Sequence, residues 1–346
     1  MHLLRPMFKP PARLGNAQSD TEAGEGGCRL TSEWLSDIMS QQELSMEQRA
    51  VGAYLGLAVG DALGATTEFM TPREIHERYG VHDRIIGGGW LKLTAGQVTD
   101  DTEMSLALGR SILEQGGVDA TAVAQAFSDW MRGKPVDMGN TVRRGIVHFR
   151  STGKPGVPEN EHDAGNGACM RCLPIALGYW NAKPEIWQRA SRIQSHVTHN
   201  SPIADIGTEL VLQLVISALQ GIPKASLQNI AQVAVARDRI FRFDRRRMEN
   251  PSGWIVETLQ AVLQAFFAQR GFKAILIDVV NRGGDSDTTG AIAGMLAGAY
   301  HGVSGIPIQW LKALDFRVRR ACERQALDLL ELADTRQPPH HETVLS

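Results

Sequence analysis

Four groups of acidic residues stand out in this 346-residue chain: Asp61 with Glu68, the run Thr99-Asp100-Asp101-Thr102-Glu103, Asp137, and Asp285-Ser286-Asp287-Thr288. Each falls at the end of a helical pattern or in a loop. Carboxylates gathered at about 4 Å repel by several kcal/mol at an effective dielectric near 20, so a site that collects them needs cations or protons. Metal ions meet that need. Asp100 and Asp101, at a helix start, differ in direction by about 100°, which lets the pair serve two neighbouring ions, with the Thr99 hydroxyl as a further oxygen. Asp285 and Asp287 lie two apart and point the same way in extended geometry, so one of them can bridge two ions, and Thr288 begins the next helix. Every donor is an oxygen, which selects Mg²⁺, Mn²⁺ or Ca²⁺ over zinc or copper, and reactivity favours Mg²⁺ or Mn²⁺. The competing reading makes Asp100, Asp101, Asp285 and Asp287 helix N-caps and dipole partners, and for any single motif both readings stand.

Other motifs point to other chemistry. The run 285–289 matches the D-x-D-x-T nucleophile motif of haloacid-dehalogenase-type phosphatases, but that fold expects a parallel sheet and an early nucleophile loop, whereas here only about 60 residues follow. Cys169 and Cys172 form a C-x-x-C with no second pair, which reads as ordinary packing and not as half a zinc site. His196 and His199 form an H-x-x-H with no acidic neighbour or third ligand, a weak metal signal. Arg237, Arg239, Arg242, Arg245, Arg246 and Arg247 crowd one segment; a solvated face is the plainer reading, a phosphate or acidic-partner site the sharper one.

The elements that must position these residues are helices. A 3.6-residue period runs through 46–64, 100–115, 119–132, 139–150, 168–180, 185–196, 203–220, 224–236, 253–269, 272–281, 289–302 and 308–333, and strand alternation is scarce. Ser45 and Gln48 have the spacing of a capping box. We therefore expect an all-α fold: one compact multi-helix domain over 46–334, an N-terminal extension at 1–45 carrying a short amphipathic stretch around Trp34 to Met39, and a flexible tail at 335–346. Two helices carry glycine every fourth residue: Gly52, Gly56, Gly60 and Gly64, and Gly290, Gly294, Gly298 and Gly302. Glycine inside a helix costs about 1 kcal/mol relative to alanine, so these stripes predict two central helices in close contact, with their flanking acids drawn together.

Composition narrows the function. With 36 Lys+Arg against 38 Asp+Glu the formal charge is −2, so no global basic field draws in nucleic acid. Four scattered cysteines and an N-terminus without an apolar signal-length run predict a cytoplasmic protein. The apolar stretch 51–64 is shorter than a membrane span and reads as a buried helix.

Five motifs, in order, then carry a resemblance: 52–68 (GAYLGLAVGDALGATTE), 96–105 (GQVTDDTEMS), 165–171 (GNGACMR), Thr198-His199-Asn200 and 283–290 (GGDSDTTG). Together they resemble the ADP-ribosylglycohydrolase family over roughly residues 48–333. Gly88-Gly89-Trp90, 136–144 (VDMGNTVRR) and Asp163 are most similar to its dinitrogenase reductase activating branch. The resemblance implies an all-α fold, a centre of two Mn²⁺ or Mg²⁺ ions, and hydrolysis of the N-glycosidic bond between ADP-ribose and an arginine of a target protein, the iron protein of nitrogenase. It matches Thr99, Asp100, Asp101, Asp285, Asp287 and Thr288 to metal ligands, Glu68 to an acid beside the metals, and Asp137 to the residue of acid/base chemistry. The proton could still belong to Glu68. Asp163, Asn166 and Gly167 match a loop cradling ribose or phosphate, Gly139 and Asn140 do likewise beside Asp137, His199 touches the nucleotide, and Trp254 takes an aromatic position beside the adenosine. The resemblance further implies a nitrogen-signalling protein of PII type as partner, recruitment to the inner membrane through partners, and a monomer. Alternatives within the family act on ADP-ribosyl-serine or a free ADP-ribose compound, and a non-catalytic ADP-ribose-binding regulator is the alternative outside enzymology.

Overall fold

The computed structural model describes residues 44–336, and among them all regular structure is helical; two isolated backbone bridges, Gly88 to Leu93 and Gly165 to Trp254, are the nearest approach to a sheet. The helices are α1 (Met46–Gly64), α2 (Pro72–Tyr79), α3 (Asp100–Gln115), α4 (Ala120–Arg132), α5 (Asn140–Thr152), α6 (Leu173–Gly178) and α7 (Pro184–Ser195) in the first half. The second half holds α8 (Pro202–Leu219), α9 (Lys224–Arg237), α10 (Ile255–Ala268), α11 (Phe272–Val280), α12 (Ser286–His301), α13 (Ile308–Ala313) and α14 (Phe316–Thr335). The all-α expectation therefore holds. The extension and tail expected at 1–45 and 335–346 fall almost entirely outside the described residues, as does the stretch Trp34 to Met39.

The glycine stripes build the centre. Gly52, Gly56 and Gly60 of α1 face Gly298, Gly294 and Gly290 of α12, so the two helices run antiparallel with their backbones in contact. A Cβ added at any of these six positions would come within 3.0 Å of the opposing backbone, a separation that real Cβ atoms essentially never show. Close packing along the whole stripe is what offsets the helix cost of glycine. The pairing departs from the expected pattern at its ends: Gly64 faces Ser286, and Gly302 lies beyond α12 as its C-cap. Helices α8, α10 and α11 pack on α12 and α14 packs on α1, so every residue from Gly52 to Gly64 and from Ser286 to Tyr300 is buried.

Local chemistry sets the helix ends. At α1 the Gln48 amide donates to Ser45 Oγ at 3.2 Å and the Ser45 amide to Gln48 Oε1 at 2.9 Å, the expected capping box. The helix read at 308–333 is broken into α13 and α14, because Asp315 accepts from the Arg317 and Val318 amides at 2.8 and 3.1 Å and starts a new helix. Helix α2 carries no apolar period, since Ile75 is its one buried residue. Helix α8 is long and apolar enough to cross a membrane, but 61% of it is buried against neighbouring helices.

Candidate active site

The acids meet where α1 ends and α12 begins. Asp61, on the last turn of α1, is buried and accepts from the Thr99 amide at 3.0 Å, the Thr99 hydroxyl at 3.0 Å and the Thr102 amide at 3.1 Å. It thus caps α3 from another helix. Thr99 makes no side-chain cap of its own, and Asp100 and Asp101 follow with their carboxylates unspent on the helix end. Asp285 likewise occupies the N-cap position of α12 without a side-chain cap bond. The capping alternative therefore falls away for Asp100, Asp101 and Asp285, whereas Asp61 is a structural acceptor. The loop before Asp285 is held by Gly283 and Gly284, both at positive φ (72° and 66°), where any side chain would strike the backbone of Met70 or Pro251. Its Asp285 amide donates to the Pro251 carbonyl at 2.8 Å, fixing the carboxylate's origin.

A cleft of about 480 Å³ opens over these ends, and five carboxylates line it: Glu68, Asp100, Asp137, Asp285 and Asp287. Thr288, Gly139, Asn140, Asn166, Gly167 and His199 line it too. Thr99 and Asp101 lie buried behind the wall, joined to it by hydrogen bonds: the Thr288 and Thr99 hydroxyls each sit 3.3 Å from Asp101 Oδ2. The starts of α3, α5 and α12 all reach the cleft, placing three partly positive helix ends beside the acids.

Crowding and burial push these carboxylates toward their protonated forms. Burial, followed by repulsion from Asp137, Asp285 and Asp100 and opposed by the Trp90 hydrogen bond, raises Glu68 to about 8. Burial with repulsion from Asp137 and Asp61 raises Asp100 to about 8. Asp101 and Asp287 are pushed well above the usual carboxylate range, and Asp285 and Asp137 upward as well, burial leading in every case. Asp101 Oδ1 is buried and has no hydrogen-bond partner. Carboxylate oxygens of Glu68, Asp285 and Asp287 lie within 4.8 Å of one another. An orphaned buried oxygen beside an all-oxygen cluster fits a hard divalent cation, so this acidic cluster could hold metal. Glu68 is one of the three acids of that cluster, and Asp137 is not.

The other wall carries polar groups fixed by their surroundings. Asn166 Nδ2 donates to Asp285 Oδ2 at 2.5 Å and to Thr258 Oγ1 at 3.0 Å. His199 Nδ1 lies 2.8 Å from Thr198 Oγ1, and its ring packs on Gly165 and Gly167, where a Cβ would come within 3.1 and 2.8 Å of it. Burial and then Arg171 and Arg144 hold His199 near 3, a neutral imidazole at physiological pH. Arg171, fully buried, donates to Gln194 and Thr198 and stacks on Phe127, and so supports the histidine from behind. Arg171 closes the motif 165–171, but nothing in its sequence context marks this supporting role.

Two expected contacts lie off the cleft lining. Asp163 Oδ1 is held by the Arg144 guanidinium at 2.5 Å, and Trp254, 40% exposed, lines no part of the cleft although its backbone bridges to Gly165. Two aromatic lining residues went unassigned in the sequence: Trp90, whose indole N–H donates to Glu68 Oε2 at 2.6 Å, and Phe69 beside it.

The remaining motifs fall elsewhere. Cys169 and Cys172 are buried free thiols. His196 Nε2 pairs with Asp205 at 2.8 Å, apart from His199. Arg242 pairs with Asp244 and Arg247 with Asp278, and both line a separate cavity of about 840 Å³ that shares no residue with the acidic cleft. The phosphatase reading lacks its sheet among the described residues, and Asp285 stands at a helix start.

Comparison with known proteins agrees with this geometry. Residues 42–339 match the sequence profile of the family described as ADP-ribosylglycohydrolase. The ADP-ribosyl-[dinitrogen reductase] glycohydrolase of Rhodospirillum rubrum is 48% identical over 291 residues, covering 84% of this chain and 98% of that protein. The ADP-ribosylarginine hydrolase Tri1 of Pseudomonas putida is 34% identical over 303 residues, covering 82% and 76%. A solved structure described as an ADP-ribosylglycohydrolase-related protein complex superposes with a TM-score of 0.75 at 35% identity, covering 84% of this chain and 99% of that one. On fold, profile and relatives together, the chain belongs to the ADP-ribosylglycohydrolase family.

Proposed function

We propose that this protein hydrolyses the N-glycosidic bond joining ADP-ribose to an arginine side chain of a modified protein, with the nitrogenase iron protein as its target. The observation that carries the reading is the convergence of five carboxylates on one cleft, in a chain that aligns over nearly the full length of a relative named for that reaction. In this reading the catalytic domain spans 46–334. Thr99, Asp100, Asp101, Asp285, Asp287 and Thr288, joined by Glu68, would hold two divalent ions, Mn²⁺ or Mg²⁺. When bound, such ions supply Lewis-acid chemistry that orients ribose hydroxyls and acidifies an attacking water.

The chain's own groups do the rest. Cleavage passes through an oxocarbenium-like state, and the carboxylate wall stabilises its positive charge. The departing guanidine needs a proton. Asp137 is half-buried, lines the cleft outside the Glu68–Asp285–Asp287 cluster, and has its affinity for protons raised by burial, so it delivers or relays that proton. Trp90 fixes Glu68 through the indole N–H. Asn140 at the start of α5 offers its backbone amide to ribose or phosphate, beside Gly139, whose amide donates to Asp100 Oδ2 at 3.4 Å, and Asn166, Gly167 and neutral His199 shape the opposite wall for the nucleotide. Asp163 and Trp254 enter as supports of that wall, one anchoring Arg144 and the other bridging to Gly165.

The reading extends to regulation by a nitrogen-signalling protein of PII type, to a cytoplasmic monomer recruited to the inner membrane through partners, and its support is kinship with the nitrogenase-related relative.

The test incubates ADP-ribosyl-arginine protein with the enzyme plus Mn²⁺, with chelator, and with Asp287→Ala, and measures released ADP-ribose. Release is expected in the first arm alone. Release that survives chelation sinks the mechanism, and turnover of ADP-ribosyl-serine in place of the arginine substrate reassigns the leaving group.

A further inference from the structure

A folded target is far larger than a cleft of about 480 Å³, so only its modified side chain can enter, and the leaving group must lie at the rim. The rim next to Glu68 is aromatic. Phe69 and Trp90 line the cleft yet are 65% and 52% exposed, with ring centroids 5.4 Å apart and planes tilted by 50°. Exposing two large rings together costs the fold apolar burial it would otherwise gain. Phe69 adds backbone strain, because its φ of 60° is a left-handed conformation that bulky residues rarely adopt. Its amide donates to the Gly284 carbonyl at 2.7 Å, tying this strained residue to the loop that carries Asp285. Trp90 is tied as firmly, through its N–H to Glu68. A ring pair held in place at a cost to stability, beside several carboxylates, has the composition of a site for a flat cation.

We propose that Phe69 and Trp90 form a shelf on which the guanidinium of the substrate arginine stacks, with the cleft-lining carboxyl of Asp137 as its acidic partner. The inference rests on the ADP-ribosyl-arginine reading and deepens it: the shelf selects a planar, cationic leaving group over a neutral hydroxyl. Arginine is the side chain that stacks on aromatic faces while it pairs with carboxylates.

The experiment compares wild type with Phe69→Gly, Phe69→Leu, Phe69→Trp and Trp90→Phe, in Mn²⁺, on an ADP-ribosyl-arginine protein and on the small guanidine ADP-ribosyl-agmatine. Free ADP-ribose is run as an inhibitor alongside. Glycine accepts a φ of 60° without strain, so Phe69→Gly should melt no lower than wild type while KM for both guanidine substrates rises about tenfold. Inhibition by ADP-ribose should stay within about twofold, as expected if the shelf acts on the leaving group alone. Phe69→Trp should restore KM, and Phe69→Leu should not. Trp90→Phe, which keeps a ring but drops the bond to Glu68, should lower kcat with KM little changed. Unchanged KM in Phe69→Gly overturns the shelf, as does rescue by leucine equal to that by tryptophan. A loss confined to the protein substrate overturns it too, in favour of a polypeptide contact. Wild type inactive on both guanidine substrates defeats the underlying functional reading instead.

Discussion

The carboxylate cluster makes the metal-free protein less stable as pH rises, in a window that can be derived. Glu68 goes from an ordinary value of 4.5 to about 8, and Asp100 from 3.8 to about 8. A carboxyl raised on folding keeps its proton in the native state after the unfolded chain has lost it, so stability falls with pH between the two values. Buried histidines act the other way: His199 at about 3 and His301 at about 4 are neutral when folded, and they add stability as pH rises toward the ordinary 6.5. That opposing contribution is exhausted above pH 6.5, which sets the window at 6.5 to 8. The extra protons held by Glu68 and Asp100 cost up to about 2.7 kcal/mol per pH unit, or about 3 kcal/mol across the window as both begin to titrate near 8, and Asp101 and Asp287, pushed well above the ordinary range, steepen the fall. For a chain of this size that is a fall in Tm of about 5 °C or more. The assay is thermal unfolding after exhaustive chelation, at pH 6.5 and 8, with and without 1 mM Mn²⁺. Metal should raise Tm far more at pH 8 than at 6.5 and flatten the slope, because a cation replaces the protons. A flat profile in the metal-free protein, or an equal gain from Mn²⁺ at both pH values, would refute the reasoning.

Three further outcomes are expected. Asp137→Asn should lower kcat by about a hundredfold or more while leaving ADP-ribose affinity within a few-fold; equal losses of binding and turnover would assign it to binding. Gly60→Ala puts a methyl against the Gly290 carbonyl and should cost about 1–3 kcal/mol, with Mn²⁺ affinity falling in the same protein, as read by thermal unfolding and metal titration. Wild-type stability in that variant would mean that the helix pair yields freely. Cys169→Ala with Cys172→Ala should retain activity and its metal dependence, losing only about 1–2 kcal/mol of packing, so loss of activity in a well-folded double variant would revive the C-x-x-C.

Much of the centre was legible in the sequence because its signals are redundant. Glycine every fourth residue has few explanations besides close helix approach, and it drew α1 and α12 together, carrying Glu68, Asp285 and Asp287 with them. What escaped has physical causes. Asp61 was grouped with Glu68 as one acidic element, since a carboxylate that caps a distant helix and one that faces a cleft look alike in one dimension. Helix α2 buries Ile75 alone and so has no apolar period to detect. Asp163 sits in the right loop, but its partner Arg144 is on another element, and no spacing rule reveals a bond of that kind. Phe69 gave no signal, because a positive φ in a non-glycine residue is set by the fold around it.

The glycine stripes also pose a problem of ambiguity. A pattern that repeats every four residues matches itself when one helix slides by one repeat, about 6 Å along the axis. One such slide would set Gly52, Gly56, Gly60 and Gly64 against Gly302, Gly298, Gly294 and Gly290, four glycine pairs where the native structure has three and a Gly64–Ser286 contact. By smoothness alone the wrong alignment is at least as good. What marks the right one is polar: Ser286 Oγ donates to the Gly64 carbonyl at 2.8 Å and lies 3.0 Å from Thr67 Oγ1. A 6 Å offset exceeds any metal–oxygen bond of about 2.0–2.6 Å, so a slipped molecule would bury its core nearly as well and yet hold Asp287 out of reach of Glu68. A cation shared across the helix pair would act as a proofreader of that alignment, and the Ser286 contacts with Gly64 and Thr67 mark it without one.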